Sequence, residues 1–163
     1  MVTVSPLGSP SPPCWDYVLR LPRDPRAARV ARLTVRAALT THGMDGLLDV
    51  TELLTSELVT SAYRHTYGPS SLRLVALGEG WLRVFVWDAS PHIPPAPPLP
   101  VPTDGEGGRG LLLVERCADR WGCWPMEGGS LGTGGGKLMW FELGGAEGGV
   151  PMRGCLITVV VVA

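Results

Sequence analysis

The sequence has 163 residues and a formal net charge of -1, which fits one folded domain and gives no strong field to attract nucleic acid or acidic lipid. No stretch approaches the ~20 consecutive apolar residues that span a bilayer, and the N-terminus lacks a basic segment followed by an apolar run. We therefore expect a cytoplasmic protein that binds neither nucleic acid nor a membrane.

Composition divides the chain into three parts. Residues 1–13 are rich in Ser and Pro and predict a disordered leader. Residues 14–143 carry the apolar patterns of a folded domain, and residues 144–163 form a Gly-rich linker with an apolar C-terminal strand or tail. The cysteines show no CxxC pairing, which favours reduced thiols over disulfides or zinc ligands. They are Cys14, Cys117, Cys123 and Cys155.

A strand and a first helix are predicted at the start of the domain. Residues 15–21 alternate as a strand does, and Asp24 before Pro25 is typical of a helix start, with the carboxylate as cap. The helix continues to about Thr41, and Gly43 ends it. Four arginines at positions 26, 29, 32 and 36 predict its solvent side. Its predicted buried side is Val30, Leu33, Thr34 and Ala37.

A second helix is predicted over residues 51–65, and two rows of side chains run along it. The apolar row predicts core packing. The polar row is Glu57, Ser61 and His65, which are four residues apart and therefore lie on successive turns. On spacing alone this row is either a solvated face or one wall of a site. The apolar row consists of Leu47, Val50, Leu54, Leu58 and Ala62.

Two strands with a short turn between them follow the helices. Residues 72–77 and 81–87 both alternate at period two, and residues 78–80 contain two glycines, so the pattern predicts a β-hairpin. The second strand ends at Asp88. An acid at the point where a strand becomes a loop favours a functional role over packing.

A long loop and a third helix come next. Residues 91–102 contain seven prolines and cannot pair as a strand, and residues 103–110 add glycines and acids. Such a segment is a lid, a binding loop or a disordered stretch. The helix predicted from Gly108 to Ala118 buries Leu111, Leu112, Val114 and Ala118. Its Gly-rich approach suits binding of an anion such as phosphate at the N-terminus.

The last elements complete a sheet. Residues 120–125 and 137–143 predict a third and a fourth central strand, separated by a Gly-rich loop. The apolar run 156–162 is either an added edge strand or, if unpaired, an aggregation hazard. Together the elements predict a two-layer α/β sandwich, with a mixed, mostly antiparallel sheet and the helices on one face.

Four motifs in order resemble the Bergerat-type ATP-binding fold of histidine kinases and gyrase B. The closer resemblance, over residues 15–143, is to the anti-sigma-factor serine/threonine kinases of the RsbW and SpoIIAB type found in actinomycetes. Their boxes E-L-V-x-N-A-x-x-H, D-x-S, G-R-G-L and G-G-K-x-x-W are specific as a set. The matching segments here are 57–65, 88–90, 108–111 and 135–140.

The resemblance implies ATP and Mg²⁺ as cofactors and assigns roles to residues. Asp88 would accept a hydrogen bond from the adenine amine, and Glu57 would be the general base toward a protein serine. His65 either belongs to the site or only interacts with the helix dipole. The predicted nucleotide-binding residues are Ser61, Asp88, Gly108, Arg109, Gly110, Leu111 and Lys137, with Ser61 also at the metal position.

Ser61 departs from the pattern, because the family has an asparagine there as a Mg²⁺ ligand. A hydroxyl is shorter and a poorer neutral ligand, and Mg²⁺ demands near-ideal octahedral geometry. Two functions therefore stay open. One is a transcription-regulating kinase that binds ATP or ADP, phosphorylates an antagonist protein and sequesters a sigma factor, in a possible homodimer. The other is a non-catalytic regulator of the same fold that only holds a partner.

Overall fold

The computed structural model describes residues 15–92, 109–126, 135–144 and 158–162. The predicted leader and most of the predicted lid and of the two Gly-rich segments lie outside the described residues. The elements in chain order are β1 (Asp16–Leu21), α1 (Ala27–Thr41), a 3-10 turn (Asp45–Leu47), α2 (Leu48–His65), β2 (Ser70–Gly78), β3 (Trp81–Asp88), α3 (Arg109–Cys117), β4 (Arg120–Met126), β5 (Gly136–Leu143) and β6 (Thr158–Val162).

The strands form one sheet in the order β4-β5-β3-β2-β1-β6. Every neighbouring pair is antiparallel except β1 and β6, which are parallel, so the predicted mixed, mostly antiparallel sheet is confirmed. The apolar run near the C-terminus is the edge strand β6. The strand β4, predicted to be central, lies at the opposite edge, where Pro125 costs no ladder hydrogen bond.

The helices cover one face of this sheet, and the two layers share one core. The period-two alternation of β2, β3 and β5 aligns Leu74, Val84 and Phe141 on neighbouring strands, all three fully buried. The same core cluster contains buried residues of all three helices. The predicted two-layer α/β sandwich is thereby confirmed, and the hairpin β2–β3 turns through three residues with positive φ, Gly78, Glu79 and Gly80.

The buried side predicted for α1 is wrong. Val30 and Leu33 are 40% and 57% exposed, and Ala37 is exposed as well. The larger apolar residues Val30 and Leu33 do not mark the buried side, which is made mostly of alanines. Two contacts join the helix to α2, since Arg36 pairs with Glu52 and Arg32 donates to Ser56. The side that is buried is Ala27, Ala31, Val35, Ala38 and Leu39.

The end of α1 agrees with the sequence, whereas its start differs from the prediction. The helix begins at Ala27, and its N-cap residue, Arg26, makes no side-chain cap hydrogen bond. Asp24 Oδ1 accepts a hydrogen bond from the Arg26 backbone N–H at 2.7 Å in the turn before the helix. Gly43 has φ +67°, and the following Met44 N–H donates to Leu39 O, which closes the C-terminus with a left-handed glycine.

Helix α2 lies between α1 and α3 and therefore buries a wider face than one stripe. Leu54, Leu58 and Ala62 are buried as predicted, but Val50 is exposed and Leu47 only half-buried. Residues on the α1 side replace them in the core, namely Thr51, Thr55 and Val59. In the part of the chain that the structure describes, no helix is long and apolar enough to cross a membrane.

Candidate functional site

The polar row of α2 divides between half-buried and exposed positions. Glu57 and Ser61 are half-buried, and neither side chain has a hydrogen bond within the described ranges. They stand one turn apart, so both groups are available on one side of the helix. His65 is exposed and is the last residue of α2. An imidazole at this position can interact with the C-terminal end of the helix dipole.

The N-terminus of α3 lies directly against Glu57. A Cβ built on Gly110, the second residue of α3, would be 3.2 Å from Glu57 Cβ and 3.3 Å from Glu57 Oε2. The absence of a side chain at Gly110 therefore allows the first turn of α3 to approach the carboxylate. Backbone N–H groups of a first helical turn have no partner inside the helix, so they are available to an anion beside Glu57.

The other residues of the Gly-Arg-Gly-Leu box have different places. Gly108 and the side chain of Arg109 lie outside the described residues, so their predicted roles stay predictions. Leu111 is buried in the core, and its side chain fixes α3 against the sheet. Only its backbone remains for contact with a phosphate.

Asp88 ends β3 as a buried carboxylate with a buried counter-charge. Lys137 faces it on β5, and Lys137 Nζ lies 2.9 Å from Asp88 Oδ1, with both side chains less than 10% exposed. The Ser90 backbone N–H donates to the same oxygen at 2.8 Å. Asp88 Oδ2 has no hydrogen bond to any described residue. Burial of either charge alone would be costly, so the pair stabilises both.

Gly136 makes this pairing possible. A Cβ at this position would overlap the Asp88 carbonyl oxygen and come within 3.0 Å of Trp87 Nε1. The strand β5 can approach the end of β3 only because residue 136 has no side chain. The register then places Lys137 opposite Asp88.

Ser70 is a member of the site that the sequence motifs missed. It lies opposite Asp88 on β2 and is buried, so Ser70, Asp88 and Lys137 form a polar row across three strands at the helix-covered face. The signal was present in the alternation, because Ser70 has the same phase as Leu72 and Leu74. A polar residue in a buried phase indicates a site or a buried hydrogen bond.

The turn after α2 joins the residues on the helices to those in the sheet. A Cβ on Gly68 would be 3.2 Å from Ala89 Cβ, so this turn packs directly on the residue after Asp88. Thr66 holds the turn, since its hydroxyl donates to Ala62 O and its carbonyl accepts from Arg23. The site therefore has Glu57 and Ser61 on α2, Gly110 on α3, and Asp88 with Lys137 in the sheet.

The donor set suits a nucleotide better than a metal bound by protein alone. Among the described residues, no three His, Cys, Asp or Glu side chains form a metal-binding group. Ser61 offers one neutral oxygen, so a Mg²⁺ here would take most of its ligands from phosphate and water. Near the ion pair of Asp88 and Lys137, burial raises the pKa of the Cys123 thiol, and the charge of Lys137 opposes that rise.

The sequence is similar to known proteins. An uncharacterized protein of Streptomyces coelicolor (strain ATCC BAA-471 / A3(2) / M145), SCO4941, is 44% identical over 54 residues, which are 33% of this chain. The match spans about half the length of that curated relative (51%). The family described as histidine kinase-like ATPase domain matches residues 21–127, about two thirds of the chain. The chain therefore belongs to the histidine kinase-like ATPase domain family, a membership that supports ATP binding.

Proposed function

We propose that this protein is an ATP-binding regulator, and that the adenine base contacts Asp88 beside the C-terminal half of α2. The observation that carries the proposal is the buried Asp88 carboxylate, which has one oxygen occupied by Lys137 and Ser90 and the other without a hydrogen bond to described residues. A carboxylate only accepts hydrogen bonds, so it suits the exocyclic amine of adenine and disfavours the carbonyl of guanine.

The phosphates would lie at the start of α3. The close approach of Gly110 to Glu57 supports this position, because backbone N–H groups of the first turn are the natural partners of an anion. Arg109 and Gly108 enter the proposal through the motif, with Arg109 as a counter-charge.

The reaction we propose is transfer of phosphate to a serine of a small antagonist protein. Glu57 is half-buried, lies one turn from Ser61 and has no hydrogen bond to a described residue, and it would take the proton of the serine hydroxyl. Mg²⁺, when bound, would neutralise charge on the phosphate oxygens. The resemblance to anti-sigma-factor kinases supplies the partner classes, the antagonist and the sigma factor, and the regulation of transcription.

A second candidate function is a non-catalytic regulator that binds nucleotide and holds a partner. The observation that favours it is Ser61, which stands where the related kinases have an asparagine ligand for Mg²⁺. Nucleotide affinity resting on Asp88 would be common to both candidates, so the first experiment tests the binding that they share.

The first prediction concerns Asp88→Ala and ATP affinity. Loss of a hydrogen bond to a charged group should weaken ATP binding by about 1.5–3 kcal/mol, measured by titration calorimetry. Because the change also leaves Lys137 without its counter-charge, the double variant Asp88→Asn with Lys137→Met keeps the site neutral and controls for unfolding. Asp49→Ala, an exposed carboxylate on α2, is the matched control. Equal ATP affinity for wild type, Asp88→Ala and Asp49→Ala would contradict the proposed site.

A further inference from the structure

The ion pair between Lys137 and Asp88 has features that an ordinary phosphate-binding lysine lacks. The ammonium is buried, and it donates to a carboxylate oxygen, Asp88 Oδ1, at 2.9 Å. The β3–β5 register and the close approach at Gly136 fix the lysine from its backbone. A buried lysine that is held by a carboxylate cannot reach out to a phosphate without leaving that carboxylate unpaired.

We infer that Lys137 is a positioning residue that sets base selectivity, by holding Asp88 Oδ1 so that Oδ2 meets the purine as an acceptor only. The inference rests on the proposed function, since it names the determinant of specificity within the same nucleotide site. It assigns Lys137 to the base end of the site, whereas the sequence motif assigns it to direct contact with the nucleotide.

The physical reason lies in the charge of a buried carboxyl group. Lys137 and the Ser90 backbone N–H both donate to Asp88 Oδ1. Asp88 Oδ2 is left as a charged acceptor. Without the lysine, a carboxylate that is 4% exposed would be a buried charge with no counter-charge, which is costly. A neutral carboxyl avoids that cost, and because it can donate as well as accept, it would tolerate a carbonyl at position 6 of a purine.

Neighbouring groups do not replace the lysine. Ser70 lies opposite Asp88 on β2, and Cys123 on β4 is close enough to feel both charges, but neither side chain carries a positive charge. Glu57 on α2 carries the same sign as Asp88. The selectivity of the site therefore depends on one cation.

The experiment compares ADP with IDP, which differ at position 6 of the purine, by titration calorimetry without added metal. The variants are wild type, Lys137→Met, Lys137→Gln and Lys137→Arg. Wild type should prefer ADP at least about tenfold, and Lys137→Met should reduce that preference about tenfold or more, because a site that can donate no longer rejects the carbonyl. Lys137→Arg should restore the preference, since it keeps the charge.

A merely structural role for Lys137 predicts a different result. Both nucleotides would then weaken together, with the ADP-to-IDP ratio unchanged, and this outcome would overturn the inference. Lys137→Gln keeps an N–H donor group but no charge, so it decides the question if Lys137→Met does not fold. Unchanged preference in Lys137→Gln also overturns it.

Failure of the inference and failure of the proposed function are distinguishable in the same experiment. A wild type that binds neither nucleotide overturns the proposed function and the inference with it. A wild type that binds ADP through Asp88, with a lysine-independent preference, leaves the proposed function standing and removes only the role of Lys137.

Discussion

One hydroxyl, that of Ser61, separates the two candidate functions. It lies one turn from Glu57 on the half-buried row of α2. Mg²⁺ ligands in proteins are oxygens at about 2.0–2.1 Å in octahedral geometry, and a serine side chain reaches less far than an asparagine amide. The adenine contact that we propose uses Asp88 in the sheet, so it would not depend on this hydroxyl.

The prediction at this position is tested with Ser61→Asn. In wild type, affinities for ATP and ADP should be similar and should change little with added Mg²⁺, because the metal lacks a good protein ligand. Ser61→Asn should make ATP affinity Mg²⁺-dependent and raise phosphate transfer to an antagonist protein of the related kinases. Stability should change little, since the residue lies on the polar row.

Thr60→Asn, the neighbouring half-buried position on α2, is the matched control. The measurements are titration calorimetry with and without Mg²⁺ and phosphate transfer from ATP by the two proteins side by side. A wild type that transfers as fast, and with the same Mg²⁺ dependence, as Ser61→Asn would show that the serine is a competent ligand.

Single residues show which part of the site was predictable. Glu57, Ser61 and Asp88 stood out because helical spacing and strand ends are local patterns. The pairing of Asp88 with Lys137 was not predictable, because it joins residues 49 positions apart through a strand register. Alternation fixes the phase of a strand but not its offset against a neighbour. Gly136, which precedes Lys137, is explained by this pairing only once the structure shows how closely it approaches Asp88.

The elements were predicted more fully than the faces that they bury. The strands, the hairpin and the C-terminal ends of α1 and α2 follow from period two, helical spacing and a glycine stop, which are local. The helix starts were less predictable, because α1 begins at Ala27 and α2 at Leu48, both without a side-chain cap. The buried side of α1 was missed because its core contacts are mainly alanines, whereas the larger Val30 and Leu33 are exposed. A pattern of large apolar side chains therefore marks the wrong side of this helix.

Asp24, just before α1, should make the stability of the fold depend on pH. Hydrogen bonds from the Arg26 side chain and backbone lower the pKa of Asp24 from 3.8 to about 2. A carboxyl with a depressed folded-state pKa stabilises the fold above its unfolded value, and this contribution is lost as pH falls through the folded pKa. Asp24→Ala should therefore lower the Tm at neutral pH, modestly because the group is exposed.

The difference in Tm between wild type and Asp24→Ala should shrink as the pH falls from about 4 to about 2. Thermal unfolding followed by circular dichroism measures it, and Asp45→Ala, an exposed carboxylate after α1, is the control. A difference that stays constant across this window would mean that the charge of Asp24 does not stabilise the helix.

At the scale of the whole molecule, the sheet separates the nucleotide site from a second, polar and aromatic layer on its helix-free face. Glu142 is fully buried there and accepts from Arg83, at 2.6 Å from its Nε, and from Arg120. The Arg83 guanidinium also lies 5.3 Å from the Trp140 ring centroid. These contacts tie β3, β4 and β5 together, so this face contributes stability rather than nucleotide contacts.

The last prediction follows from that separation. Glu142→Gln keeps an acceptor but removes the buried charge that pairs both arginines, and it should lower the free energy of unfolding by about 1–3 kcal/mol. The value stays below that of a fully buried pair, because both arginines are partly exposed and regain water. ADP affinity, measured well below the Tm, should change less than about twofold, because Asp88 and Lys137 face the opposite side of the sheet. Urea unfolding and calorimetry measure the two quantities, with Glu115→Gln on the exposed side of α3 as control. If ADP affinity fell in step with stability, the two faces would be coupled through β3 and β5, and the helix-free face would have to be counted as part of the nucleotide site.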